Sequence, residues 1–149
     1  MASWEEFSAE APELAAAVRR RFEAAKHHVL ATLRRDGSPR VSGTEVEFRG
    51  PDLALGSMGG ARKAADLRRD GRFALHANPG EGLRSGERGD VKVAGSAVEV
   101  PPDEGAPQDS YLFLLDLREA VVTSIHPDGD RLVIESWRPG EPVKRVERT

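Results

Sequence analysis

His28-Val29-Leu30-Ala31-Thr32-Leu33-Arg34-Arg35-Asp36-Gly37-Ser38-Pro39-Arg40-Val41-Ser42 is the stretch on which the reading of the fold turns. Its first six residues form an apolar-rich run containing the strand formers Val29 and Thr32. Asp36-Gly37 then supplies a strong hairpin signal between two such runs. Pro39 opens the second run, which carries Val41, Thr44, Val46 and Phe48 and predicts a strand over 39–48.

Downstream the same rhythm continues. Gly50-Pro51 breaks the chain before a short strand at Leu53 to Ser57. Gly59-Gly60 ends that strand, and Ala61 to Arg69, rich in Ala, Leu, Arg and Lys, predicts a short helix. A strand at Arg72 to Ala77 leads into a loop over 78–90 with Pro79 and four glycines. Val91 to Val100 predicts the next strand and Pro101 to Asp109 a polar loop. Three more strands are expected at Tyr111 to Leu117, Ala120 to Ile125 and Leu132 to Trp137, the last hairpin turning at Pro127-Asp128-Gly129. The tail, Pro142 to Thr149, mixes Val143 and Val146 with charge.

Upstream, Ser3 and Glu6 form a capping box. Pro12 suits a first helical turn, and Leu14, Val18 and Phe22 recur at helical spacing, which predicts an amphipathic helix over 12–26. Many short strands with hairpin turns and few helices predict a mainly β fold, a small antiparallel barrel.

The composition narrows the function classes. The chain has 149 residues, 38% hydrophobic and 32% charged, with a net charge of −3 and no cysteine. That is the size and balance of one globular domain, spanning 1–149. No apolar run is long enough for a bilayer span, and Met1 to Phe7 lacks the apolar segment of a signal peptide, so a cytoplasmic protein without membrane association is expected. Absence of cysteine excludes thiolate catalysis, disulfides and cysteine-based metal centres. Mild acidity gives no pull toward nucleic acid, and Arg19-Arg20-Arg21, without interleaved aromatics, reads as a solvated helix face.

One segment stands out chemically: Gly56-Ser57-Met58-Gly59-Gly60-Ala61-Arg62-Lys63. It leaves a strand, passes through glycines and opens a helix. Glycines allow backbone N–H groups close to an anion, the helix N-terminus adds partial positive charge, and Arg62 and Lys63 add full charges. This is chemistry suited to a terminal phosphate, though it lacks Walker A spacing. The same residues also read as a glycine turn followed by a solvated basic helix. His27, His28, His76 and His126 show no metal-ligand spacing, and Ser42, Ser57 and Ser136 show no hydrolase pattern.

The hairpin with Asp36-Gly37-Ser38-Pro39, the turn Gly60-Ala61-Arg62-Lys63, Asp70-Gly71-Arg72-Phe73, Asp90-Val91-Lys92-Val93-Ala94-Gly95, Ile134-Glu135-Ser136-Trp137 and Lys144-Arg145-Val146-Glu147-Arg148 together resemble the pyridoxamine 5'-phosphate oxidase-like flavoproteins in order and spacing. The resemblance runs from about His28 to Arg148. It implies a small antiparallel split β-barrel with a few short helices, assembled as a homodimer that holds FMN, and a small-molecule redox substrate. By position it implies Arg62 and Lys63 on the FMN phosphate, Gly56 and Ser57 beside the ribityl–phosphate chain, and Ser42, Gly43 and Thr44 along the isoalloxazine. Asp90 stands where the family often has a flavin-contacting glutamine. Trp137 and Arg148 would reach the flavin across the dimer, or Trp137 would serve as a packing aromatic. A deazaflavin is the alternative cofactor, and a flavin-storage protein the alternative to a flavin-dependent oxidoreductase.

Two departures from the family pattern shape the expected substrate. The family's oxidases carry an Arg-x-His pair in the tail, where this chain has Lys144-Arg145-Val146. Glu45 and Glu47 bring acid to the second strand and would repel an anionic substrate. Vitamin B6 phosphate is therefore not the expected substrate.

Overall fold

The 28–42 stretch forms the hairpin. β1 (His28–Leu33) pairs antiparallel with β2 (Pro39–Thr44), in register from His28 opposite Thr44 to Leu33 opposite Pro39. Asp36 Oδ1 accepts from the Ser38 backbone N–H at 2.9 Å and from its hydroxyl at 2.6 Å. Gly37 takes φ +87°, which costs glycine nothing. These details come from a computed structural model that describes residues 2–82 and 89–149. Of the loop expected at 78–90, residues 83–88, which include Gly86, lie outside the described residues.

The strand predicted over 39–48 is two strands. After Thr44 the chain leaves β1, and β3 (Glu47–Arg49) pairs instead with β4 (Asp52–Ser57) around Gly50, at φ +55°. With β5 (Arg72–His76), β6 (Asp90–Val100) and β7 (Tyr111–Ile125), the order across the sheet is β2-β1-β5-β6-β7-β4-β3. The break at Glu45 and Val46 therefore carries the chain from one end of the sheet to the other.

β7 is 15 residues long where the sequence predicts two strands. Its first half pairs with β4 and its second half with β8 (Leu132–Trp137), while β6 follows its other edge. This fork, extended by β9 (Lys144–Arg148) on β8, gives the mainly β fold that the strand pattern predicts, in the split-barrel form that the resemblance implies. The register jumps from Ala94 opposite Glu119 to Gly95 opposite Leu117, so Arg118 is the extra residue of a β-bulge. A Cβ at position 95 would run into the Asp116 carbonyl. Charge at Arg118 and Glu119 reads in sequence as a strand end, but the bulge absorbs it without breaking the pairing.

Among the described residues three helices cover the barrel. Ser3 caps α1 (Trp4–Glu10), its hydroxyl accepting from the Glu6 backbone N–H at 3.2 Å. Ala11, at φ −141°, separates α1 from α2 (Pro12–Glu23), because the residue before proline is pushed out of the helical region. α2 stops three residues short of the expected 26, leaving Ala24 to His27 to turn the chain into β1. α3 (Arg62–Arg69) follows the glycine turn. Phe7, Val18 and Phe22 from the helices pack with Leu30, Leu53, Leu55, Leu75, Phe113 and Leu115 from the strands, each large apolar side chain contributing about 1.5–3 kcal/mol on burial. Among the described residues no helix is long and apolar enough to cross a membrane.

Asp66 fixes α3 to the hairpin. Its carboxylate accepts from Thr32 Oγ1 of β1 at 2.7 Å, Arg40 Nε of β2 at 2.7 Å and Arg69 Nη2 at 3.0 Å, with its side chain only 3% exposed. Burial alone would raise its pKa. The hydrogen bonds from Arg40, Thr32 and Arg69 overcome that and hold the carboxyl below the usual aspartate value.

Candidate functional site

An open groove of about 1640 Å³ runs between the end of β2, the glycine turn after β4, the C-terminal end of α2 and the 102–110 loop. Five of the residues expected at a site line it: Gly43, Thr44, Gly56, Ser57 and Lys63. Two of its glycines leave room. A Cβ placed at Gly43 or at Gly56 would meet nothing within 4 Å, so these strand ends offer flat backbone to a ligand.

The glycine turn ends at α3. Ala61, the N-cap, provides no side-chain hydrogen bond, so the first-turn N–H groups of this helix keep their capacity to meet an anion. Lys63 Nζ donates to the Gly43 carbonyl at 2.9 Å and has donors to spare. Arg62 is exposed and has no partner among the described residues. It stands at the helix start beside the groove rather than in its lining.

Four expected residues lie elsewhere. Ser42 is half-buried and shares the face of β2 opposite Leu30, outside the groove. Asp90 is paired with His76, its Oδ1 2.9 Å from Nε2, on the outer face of the sheet. Arg148, in β9, sits on that face opposite Leu132. Trp137 is 1% exposed, its ring 4.5 Å from that of Phe7 and its Nε1 donating to Glu10 at 3.4 Å. Its own chain encloses it, which is the packing arrangement.

The acidic residues that sequence places on the second strand are compensated. Lys26 pairs with Glu45 at 3.4 Å, and Arg49 reaches Glu47 at 3.9 Å and Asp103 at 2.5 Å. Arg19 pairs with Glu23 at 3.1 Å on the α2 side. The repulsion expected from Glu45 and Glu47 is thus offset in part where it arises, since Arg49 is shared with Asp103.

Sequence reasoning missed the part played by the 102–110 loop, which supplies Asp103, Ala106, Pro107, Gln108 and Asp109 to the groove. Asp109 has φ +67°, and its backbone lies so close to Gly59 that a Cβ there would stand 2.6 Å from the Asp109 Cβ. Asp109 belongs to the residue types that tolerate this conformation, but nothing local signals that the loop folds back on the glycine turn. Outside the groove's lining, His126, Asp128 and Asp130 bring ligand atoms within 4.8 Å of one another, and the Arg131 guanidinium already fills that cluster, 2.7 Å from Asp130.

No family model matches the chain, and no curated protein matches it. Solved structures do. A pyridoxamine 5'-phosphate oxidase-related, FMN-binding protein from Nostoc punctiforme aligns over 93% of this chain and 96% of its own, at 12% identity and a TM-score of 0.64. PhzG from Burkholderia lata, solved with tetrahydrophenazine-1-carboxylic acid, aligns over 96% and 91%, at 15% identity and a TM-score of 0.64. HutZ, the heme storage protein of Vibrio cholerae, aligns over 73% and 90%, at 18% identity and a TM-score of 0.57. At these identities the likeness is one of fold, and the chain has the pyridoxamine 5'-phosphate oxidase-like split-barrel fold.

Proposed function

We propose that this protein is an FMN-binding, flavin-dependent oxidoreductase whose groove takes the flavin phosphate at the start of α3. The observation that carries the reading is the run from open glycine backbone, Gly43 and Gly56, to an uncapped helix start flanked by Lys63 and by Arg62, which has no partner among the described residues. These features fit the group. Gly43 and Gly56 leave space for a flat ring system, while Lys63, Arg62 and the α3 N–H groups would hold a phosphate. Bound flavin supplies reversible electron transfer, which is the cofactor's own chemistry. The chain's part is to bind and orient it, with Thr44 and Ser57 on the walls and Lys63 tying β2 to α3.

Assembly as a homodimer is part of the proposal. The outer face of the sheet carries Val41, 70% exposed, Val29 at 44% and Val146 at 53%, with Ala31, Ala74 and Ala94 aligned beside the first two. An apolar sheet face of this kind is what a second copy would cover. Asp90 and Arg148 lie on that face, where the partner's flavin would meet them. The Lys144-Arg145-Val146 tail, which lacks the oxidases' histidine, favours a substrate other than vitamin B6 phosphate. A deazaflavin phosphate would satisfy the same contacts, as would storage of FMN without turnover.

A second reading has one observation behind it. His27 lines the groove, and its ring has no partner among the described residues, leaving an imidazole available to the iron of a heme such as HutZ is named for storing. Titration with FMN and with hemin, followed by desalting and visible spectroscopy, separates the two. Retained flavin absorbance supports the flavin reading; a Soret band lost in His27→Ala, with no flavin retained, replaces it.

A further inference from the structure

We infer that Asp109 is a specificity-determining residue at the phosphate end of the groove, set there to limit the negative charge that the site accepts. The inference rests on the flavin reading above. The glycine turn and α3 gather positive character: the uncapped helix start, Lys63 and Arg62. Against them the 102–110 loop lays one carboxylate-bearing residue. The Asp109 backbone and Cβ crowd Gly59 itself, the residue between the strand end and the helix.

The placement is specific. Asp103, on the same loop, is held by Arg49 of β3 at 2.5 Å. Glu47 shares that arginine, and Glu45 is taken by Lys26. Asp109 has no hydrogen bond or ion pair among the described residues. Of the groove's acidic side chains on β3, on the 102–110 loop and between β2 and β3, Asp109 alone has no ion-pair partner among the described residues, and it sits at the end where an anion would bind. Lys63 of α3 and, from the start of β7, Tyr111 line the same groove as Asp109, and Arg62 precedes Lys63 at the helix start.

A phosphate monoester carries nearly two negative charges at neutral pH, its second pKa being about 6. A carboxylate beside it removes part of the stabilisation that the cations provide. A singly charged phosphate loses about half as much, and a flavin without phosphate loses nothing. Asp109 therefore sets the site toward singly charged phosphates and lets flavins exchange instead of locking FMN in place. Position 109 suits the test, because asparagine tolerates a positive φ as well as aspartate does, so Asp109→Asn removes charge and keeps the loop.

The experiment is a binding cycle: FMN and riboflavin against the wild type and Asp109→Asn, at pH 7.5 and pH 5.5. We expect the substitution to tighten FMN relative to riboflavin by roughly tenfold at pH 7.5 and by roughly threefold at pH 5.5, where the phosphate is mostly singly charged. An FMN-to-riboflavin ratio that Asp109→Asn leaves unchanged at both pH values would overturn the inference and leave the flavin reading intact. Failure of both ligands to bind either protein would overturn the flavin reading and this inference with it.

Discussion

Lys63 Nζ donates to the carbonyl of Gly43 at 2.9 Å, and this bond joins the helix that follows the glycine turn to the strand that leaves the first hairpin. It gives the groove a fixed relation between its flat backbone wall and its cationic end. A ligand that spans both finds them already spaced. Arg62, one residue earlier, adds a guanidinium with no partner among the described residues, able to close on an anion.

Replacing both Arg62 and Lys63 with Ala should cost FMN about a hundredfold or more in affinity, taking charge-assisted hydrogen bonds at about 1.5–3 kcal/mol each. Riboflavin should lose far less. Fluorescence quenching titrations with the two flavins check this, and equal losses for both would move the phosphate elsewhere.

Asp66→Ala should destabilise the fold by about 3–5 kcal/mol, because it leaves the Arg40 guanidinium half-buried without its partner. The pH dependence has a definite sign. The folded carboxyl lies below its ordinary value of 3.8, so its contribution is complete above that value and is lost as pH falls through the folded one. Denaturant unfolding of wild type and variant should converge in strongly acidic solution. A constant difference down to the lowest pH would show that Asp66 acts by packing alone.

His28 gives the corresponding effect nearer neutrality. Burial favours its neutral form and lowers it from 6.5, against the pull of the Phe22 and Ala25 carbonyls. The neutral ring accepts from the Asn78 backbone N–H at 2.9 Å. Its contribution is therefore full above 6.5 and declines as pH falls toward the folded value. Thermal melts of the wild type should show falling stability below that pH, and His28→Gln should flatten that part of the profile.

Gly95→Ala should cost at least ~2 kcal/mol, since the new methyl meets a backbone carbonyl held within the sheet. The loss should appear as a lower denaturant midpoint. Gly43→Ala, with nothing within 4 Å of the added carbon, should leave stability nearly unchanged and weaken flavin binding. A stable Gly43→Ala protein with full flavin affinity would count against the flat wall of the groove.

Local chemistry made much of this fold legible. Asp36-Gly37 turns the hairpin where expected, Ser3 caps the first helix, and the strands from His28 and Leu132 begin and end as their patterns predict. The misreadings arise where a partner distant in sequence decides. Pro39 to Phe48 looks continuous, yet its two halves pair with strands at opposite ends of the sheet. Arg118 looks like a strand end, yet Gly95 makes room for it as a bulge. At the site, the glycine turn and Lys63 were readable as chemistry. The return of Asp109 to Gly59 and the pairing of Arg49 with Asp103 were not, because each joins residues about 50 apart with no periodic signal between them.

The most direct test of the central claim is the visible spectrum of the purified protein, recorded as isolated and again after addition of stoichiometric FMN and desalting. Flavin absorbance retained through desalting is the result this account predicts. A protein that retains neither FMN nor a deazaflavin, whether colourless or carrying a Soret band, would contradict it.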